Sequence, residues 1–365
     1  NNMKTGEILI TIENGDIHSL IKEYLGFQPN LISPFANIIQ DGTSPSKHAE
    51  KLKAISGNPD VVTCFKILCN PSVTYRVRNG GPATPLSEMY ICTDDYHSFV
   101  LASKFNENEY GIQYCDTNVQ LTDFLSTFLL MDNDNEYEPL FPETMDYEFF
   151  ILLANILDSY KYAVSRNALK HEASSTPALT AAEFNMLLQD SLSKPDFSWL
   201  VTNITGLLPS AFIYKLEGKE KNYLDLFEKG FLLAVKNNDT GEESLMLNAL
   251  SIEAGAEFMN TWMKSAGIEI STLSDNVLET KPLAFICSTA LTNHCFNFSK
   301  TDGCIQYETL NNINSLSAIE KIFDTSHILK SNVKKDSQSV PLFCDNCGAK
   351  LKQGASFCVT CGNKI

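Results

Sequence analysis

The sequence predicts an α+β protein made of two pseudo-repeated halves, each an antiparallel strand meander plus helices, followed by a small cysteine-rich tail. Three observations carry that prediction. Residues 89–129 are echoed by residues 283–323. Both copies alternate apolar and polar positions, as half-buried strands do, and close on apolar residues spaced three and four apart, as one helix face requires. Four cysteines in two Cys-x-x-Cys pairs crowd the C-terminus, apart from the other seven.

Within the echo, Ile91-Cys92 matches Ile286-Cys287 and Ile112-Gln113-Tyr114 matches Ile305-Gln306-Tyr307, so the offset drifts only from 195 to 193 residues. An Asn-Glu-Asn-Glu turn at 106–109 separates two strands in the first copy, and Thr301-Asp302-Gly303 does so in the second; Asp-Gly is a strong hairpin signal. Each half reads as three strands and a helix packed on the sheet. The closing helices carry Leu121, Phe124, Leu125 and Phe128 in one copy and Leu316, Ile319, Ile322 and Phe323 in the other. This pattern points to an ancient duplication.

Upstream of each copy the pattern is helical. Residues 16–26 and 180–192 are amphipathic, and Thr180 with Glu183 forms a capping-box signature. Shorter helices are expected at 45–59, ending at Gly57, and at 223–232, with another over 251–267. Only the second half has a long leading helix, 147–170, with Phe150, Leu153, Leu157 and Tyr160 on one side. The acidic, proline-containing stretch 131–146 reads as a solvated connection, and the polar stretch 326–341 as a flexible linker. The expected division is a first α+β half at 1–131, a second at 147–325, the linker at 326–341 and the cysteine module at 342–365.

Composition narrows the function. The 365-residue chain is 44% hydrophobic and 20% charged, with a net charge of −16. Such an acidic body repels phosphate backbones and disfavours non-specific nucleic-acid binding. No run of about 18 apolar residues is present to insert in a membrane, and the start lacks the features of a signal peptide. Cysteines scattered through apolar runs, beside metal-type pairs, fit a reducing cytoplasm better than a disulfide framework.

No metalloprotease, serine-hydrolase, phosphate-loop or dinucleotide motif occurs. The glycine pair at 80–81 reads as a loop between strands, and His97 beside Asp94 and Asp95 as a polar strand-end turn. Cys92 and Cys287 read as small buried hydrophobes rather than nucleophiles. An enzyme of unfamiliar type stays open at this point.

The tail has one clear chemistry. Cys344, Cys347, Cys358 and Cys361 supply four soft ligands for a tetrahedral Zn2+ ion, each pair on a tight turn followed by Gly348 or Gly362. Phe343, Leu351 and Phe357 give little core, so a module this small needs the metal to fold. Four thiolates close the shell, which makes the zinc structural rather than catalytic. The tail resembles the short zinc-ribbon family. Lys350, Lys352 and Lys364 are balanced by Asp345 and the anionic cluster, which favours protein contact over nucleic acid.

The body, residues 8–325, resembles the EspG family of cytosolic chaperones in type VII (ESX-type) secretion. The likeness is carried by the leading "SLIKEYLG" (19–26), the strand–strand–helix run "SFVLASKFNENEYGIQYCDTNVQLTDFLSTFL" and its second-half counterpart. Actinobacterial members lack a zinc ribbon, so the resemblance implies a divergent branch serving type VIIb systems that export LXG toxins. It implies a non-enzymatic adaptor whose partner is a helical hairpin, either an LXG toxin's targeting region or a small Trp-x-Gly protein. Two apolar ridges are candidates for partner contact: Leu207, Leu208, Phe212 and Tyr214 on one, Phe150 and Leu157 on the other. The alternative is a regulatory or nucleic-acid-binding module acting through the zinc ribbon.

Overall fold

The computed structural model describes residues 8–40, 48–81, 84–94, 98–132, 134, 137–172, 176–236, 243–261, 264–274, 277–299 and 303–324. The chain opens with β1 (Ile8–Glu13), whose outgoing residue leads directly into α1 (Asn14–Ser19). The helix continues as a wider π-helical stretch, Leu20–Leu25, and stops at Gly26, whose φ of 65° is a left-handed value glycine adopts without cost. Then come α2 (Ala36–Gln40), α3 (Ala49–Ser56) and α4 (Pro59–Cys69). Asn58 caps α4 by accepting the Asp60 N–H at 3.0 Å, with Pro59 in the first turn where its missing donor costs nothing.

Four strands follow, β2 (Val73–Gly81), β3 (Thr84–Thr93), β4 (Phe99–Asn106) and β5 (Glu109–Cys115), and then α5 (Asn118–Leu129). In the second half β6 (Thr144–Asp146) runs straight into the long α6 (Tyr147–Leu169). An elaborate stretch follows: β7 (Ala178–Leu179), α7 (Ala181–Ser193), α8 (Leu200–Leu207), a 3-10 turn at Pro209–Ile213, α9 (Glu220–Glu228), β8 (Leu232–Lys236), β9 (Glu243–Leu247) and α10 (Ala249–Thr261). Four more strands, β10 (Lys264–Ser274), β11 (Val277–Ser288), β12 (Asn293–Phe298) and β13 (Cys304–Leu310), precede α11 (Ser315–Phe323).

Ten strands form one antiparallel sheet in the order β1-β5-β4-β3-β2-β10-β11-β12-β13-β6; β7, β9 and β8 make a small second sheet. The β2–β10 seam joins the halves, so they are parts of one sheet within a compact unit spanning 1–322. The registers match across it. Thr74 stands opposite Cys92, and Ser265 opposite Cys287. The hydroxyl–sulfur distances are 3.6 and 3.5 Å respectively. Across the seam Thr74 faces Ser271 and Ser265 faces Gly80, which puts the Val77–Ile268 pair at the midpoint. At the outer edges Glu13 pairs with Glu109 and Asp146 with Cys304, each just before a helix.

This alignment corrects the sequence echo. Ala102 pairs with Ile112, and its counterpart Phe296 pairs with Tyr307, so Tyr307 takes the place of Ile112. The Ile-Gln-Tyr identity is displaced by two residues. A slip of two keeps the same face of the strand, which is why alternation alone did not betray it.

Alternate strand residues serve two faces. In the first half Ile17, Leu20, Phe35, Phe65 and Leu68 pack over Cys92, Val100 and Ile112. In the second half α6 lies on the sheet, with Phe150, Leu153 and Leu157 in one core with Phe285, Phe296 and Phe298. Every residue from Tyr147 to Ser159 is buried, so this part of α6 is covered all round, while its last turns reach solvent at Ser165, Ala168 and Leu169. α5 lies on the other face, burying Leu121, Leu125 and Leu129.

Three expectations are revised. The stretch 131–146 is only in part a solvated connection: Met131, Asp132, Asp134, Glu138 and Pro139 are exposed, but Leu140, Phe141 and Met145 are buried and β6 pairs with β13. The helix expected over 251–267 stops at Thr261, and β10 begins at Lys264. Gly267 allows this, because a Cβ there would come within 2.4 Å of the Leu207 carbonyl oxygen at the end of α8. Each half has four meander strands rather than three. β2 and β10 escape a purely apolar reading because their helix-facing residues include Arg76, Arg78 and Glu269. The Arg76 Nε donates to Glu269 at 2.8 Å, and the carboxylate also accepts the Ser210 N–H at 2.6 Å.

Candidate partner-binding surface

Of the expected contact residues, Phe150, Leu157, Leu207 and Leu208 are buried, between 0% and 5% exposed. They are core: the Phe150 and Phe296 rings lie 4.6 Å apart, and α8 crosses the sheet end-on above Gly267. Only Phe212, at 60%, is exposed. Tyr214 is half-buried, its ring 5.4 Å from Tyr147 and 6.3 Å from Phe298. The four cysteines of the tail and His97 lie outside the described residues.

Phe212 belongs to a larger display. Ile213, Leu216, Leu224, Phe227, Leu233 and Val235 are also exposed, all within residues 212–235. In α9, Asn222 and Leu226 turn inward one turn apart, while Leu224 and Phe227 turn outward. β8 follows at the edge of the small sheet, with Leu232 buried and Leu233 and Val235 outward. Tyr223, Leu224, Leu226 and Phe227 make α9 apolar on more than one face, a sequence signal that a second apolar surface is meant for something beyond the core.

Buried polar groups anchor this segment. The Glu148 carboxylate, in the first turn of α6, accepts the Lys219 N–H at 3.0 Å and the Glu217 N–H at 3.3 Å. Asp146 caps α6 through the Phe149 N–H at 2.8 Å and accepts the Asn222 amide at 3.2 Å. Asp158 caps α8 from a neighbouring helix, accepting the Leu200 and Val201 N–H groups at 2.7 and 3.1 Å. Burial nevertheless pushes the Asp158 carboxyl up to about 7. Exposed apolar side chains on a segment fastened this way keep a defined geometry, as a recognition surface requires.

A second polar group lies within the second-half core. His294 is fully buried, and its Nε2–H donates to Glu257 at 2.9 Å. The His294 Nδ1 lies 2.9 Å from the Tyr307 hydroxyl, so both ring nitrogens have a hydrogen-bond partner. Glu257 also accepts hydroxyl hydrogens from Thr289 and from Tyr137, the latter at 2.9 Å. Burial raises the Glu257 carboxyl, but the hydrogen bond and charge of His294, with hydrogen bonds from Thr289 and Tyr137, outweigh it and hold the group below the usual range. The residues sit at 257, 294 and 307, so no local motif announces them. Phe141 and Phe258 pack on the imidazole at ring distances of 6.0 and 4.6 Å, and the network ties the 137–141 segment to α10 and the sheet.

Cys92 and Cys287 are buried as the sequence implies, and desolvation pushes both thiols up to about 12, the reverse of nucleophile activation. Among the described residues, no group of three or more histidine, cysteine and acidic side chains could hold a metal, and no helix is long and apolar enough to cross a membrane. No protein-family model matches the chain, and no curated protein matches it.

Proposed function

We propose that this protein is a non-enzymatic cytoplasmic adaptor or chaperone that holds a helical secreted partner, of the LXG-toxin or small Trp-x-Gly hairpin type implied by the EspG resemblance. The observation that carries this reading is the run of exposed apolar side chains from Phe212 to Val235 on a segment anchored by Glu148 and Asp146. A helical hairpin presents an apolar stripe that such a surface can cover. The net charge of −16 keeps the complex soluble and turns nucleic acid away. The matched registers across the seam support an ancient duplication, with the partner surface added to the second copy alone. The C-terminal Cys344, Cys347, Cys358 and Cys361 form a zinc-ribbon docking module in this reading, with one structural Zn2+.

Co-expression with candidate helical hairpins, followed by gel filtration, tests the proposal. A stable complex is expected, lost in Phe212→Asp and Leu224→Asp variants that melt at the wild-type temperature. A complex indifferent to both substitutions would sink it.

A further inference from the structure

On the sheet face that carries α5, the two ends of the β2–β10 seam use equivalent backbone positions and fill them differently. The matched registers make Tyr75 the counterpart of Ala266 and Ile270 the counterpart of Asn79. At one end Tyr75 and Ile270 stand opposite each other, 0% and 4% exposed, and fill the space. At the other end the opposed pair is Ala266 and Asn79. Beside the short Asn79 amide, where the other end has a branched chain, lies an open pocket of about 530 Å³ whose wall includes Asn79, Ser87, Thr127, Phe128, Met131 and Lys264.

Two polar groups in that wall can take a ligand. Asn79 is 8% exposed, and its Oδ1 accepts no hydrogen bond. A buried acceptor left unpaired is destabilising, and native proteins rarely keep one without a ligand, water or role. Lys264 donates to the Leu130 carbonyl at 3.2 Å, but among the described residues no carboxylate pairs with it. Lys264 is half-buried, and desolvation holds its ammonium below the ordinary range while leaving it within reach of an anion. Lys264 and Asn79 are diagonal neighbours across the strand pair, with β-carbons about 7–8 Å apart, a span one amino-acid residue can bridge. Beside them Phe128 and Met131 offer an apolar wall.

We infer that this cavity binds the carboxylate end of an N-acylated amino acid with an apolar side chain. The carboxylate meets the Lys264 ammonium, the amide N–H donates to the Asn79 Oδ1, and the side chain lies against Phe128 and Met131. The site is independent of the Phe212–Val235 surface. The same chemistry exists in a free N-acyl amino acid and in the C-terminal residue of a peptide.

Calorimetric titration of the full chain tests the inference. The probes are N-acetyl-leucine, N-acetyl-methionine and N-acetyl-phenylalanine, their carboxamides, and hexapeptides ending in the same residues. Saturable binding of at least one acid is expected, with its carboxamide weaker by about tenfold or more. Tighter binding of the hexapeptide assigns the site to a peptide tail; exclusion of the hexapeptide assigns it to a free acyl amino acid. Lys264→Met should abolish the preference for acid over amide. Asn79→Ile, which copies the residue at the other end of the seam, should eliminate binding and raise the melting midpoint by about 2 °C or more. The inference is overturned if none of the acids binds, or if both variants bind as wild type does.

Discussion

The two sides of the β2–β10 seam share a strand order and a hydroxyl–thiol pair, yet they cover their sheets by different means. The first half uses four short helices, and Asp16 is its one buried carboxylate among the described residues. The second uses a single 23-residue helix, α6, itself wrapped by α7 to α10. Wrapping creates helix ends and loops deep in the structure, whose backbone donors must be satisfied without water. Buried carboxylates do this: Glu148 holds the 217–219 loop and Asp158 the start of α8. Elaboration thus brought both the polar interior and the apolar display to the same half.

The comparison can be broken most forcefully in the two cores. Phe150→Ala and Phe65→Ala should each cost about 3–5 kcal/mol, measured by denaturant unfolding. If the shared sheet makes the halves one cooperative unit, each variant unfolds in a single shifted transition. Two separated transitions would show that the seam does not couple them.

At the seam itself, Glu269→Gln weakens the bond to Arg76 and should cost about 1.5–3 kcal/mol. A loss confined to one half, read from residue-resolved hydrogen exchange, would contradict the seam's role as the joint.

Asp158 offers a pH test of the polar interior. Its folded-state carboxyl stands near 7, above the ordinary value of about 4. The folded state therefore holds this proton more tightly than the unfolded chain. Its contribution to stability is fullest below about pH 4, declines as pH rises to about 7 and is flat beyond. Asp158→Asn cannot ionise, so stability relative to wild type should improve from pH 4 to pH 7. Glu257 acts in the opposite sense, its contribution present above the unfolded value and lost as pH falls through the depressed one. A relative stability of the Asp158 variant that worsens with rising pH would mean the ionised cap of α8 outweighs its burial.

The smallest effect concerns the matched pairs. Ser265→Ala should cost about 0.5–1 kcal/mol, and Thr74→Val somewhat more, because the Thr74 hydroxyl also donates to the Ile32 carbonyl at 2.7 Å. The reverse ranking would argue against equivalent environments.

Much of the local structure was legible in the chain. The long helix at 147–170, the capping box of α7, in which Thr180 and Glu183 bond reciprocally, and the end of α3 at Gly57 are all realised. The candidate surface was legible only at Phe212. Phe150, Leu157, Leu207 and Leu208 look alike in sequence whether they face a partner or a core, because an apolar side chain carries no record of what covers it. Leu224, Phe227, Leu233 and Val235 were missed for the same reason.

The sequence by itself determined the helix ends that carry a cap or glycine, at Thr180 and Gly57, and which strand positions share a face, since caps, glycines and alternation act within a few residues. Only the tertiary structure decided that β2 meets β10, that Arg76 and Glu269 neutralise each other across 193 positions of chain, and that the echo is displaced by two residues. Cross-strand pairing is chosen by which faces can be buried together, and that depends on partners brought from far along the chain. The pocket beside Asn79 likewise depends on tertiary structure, since its wall draws on β2, β3, β10 and the end of α5.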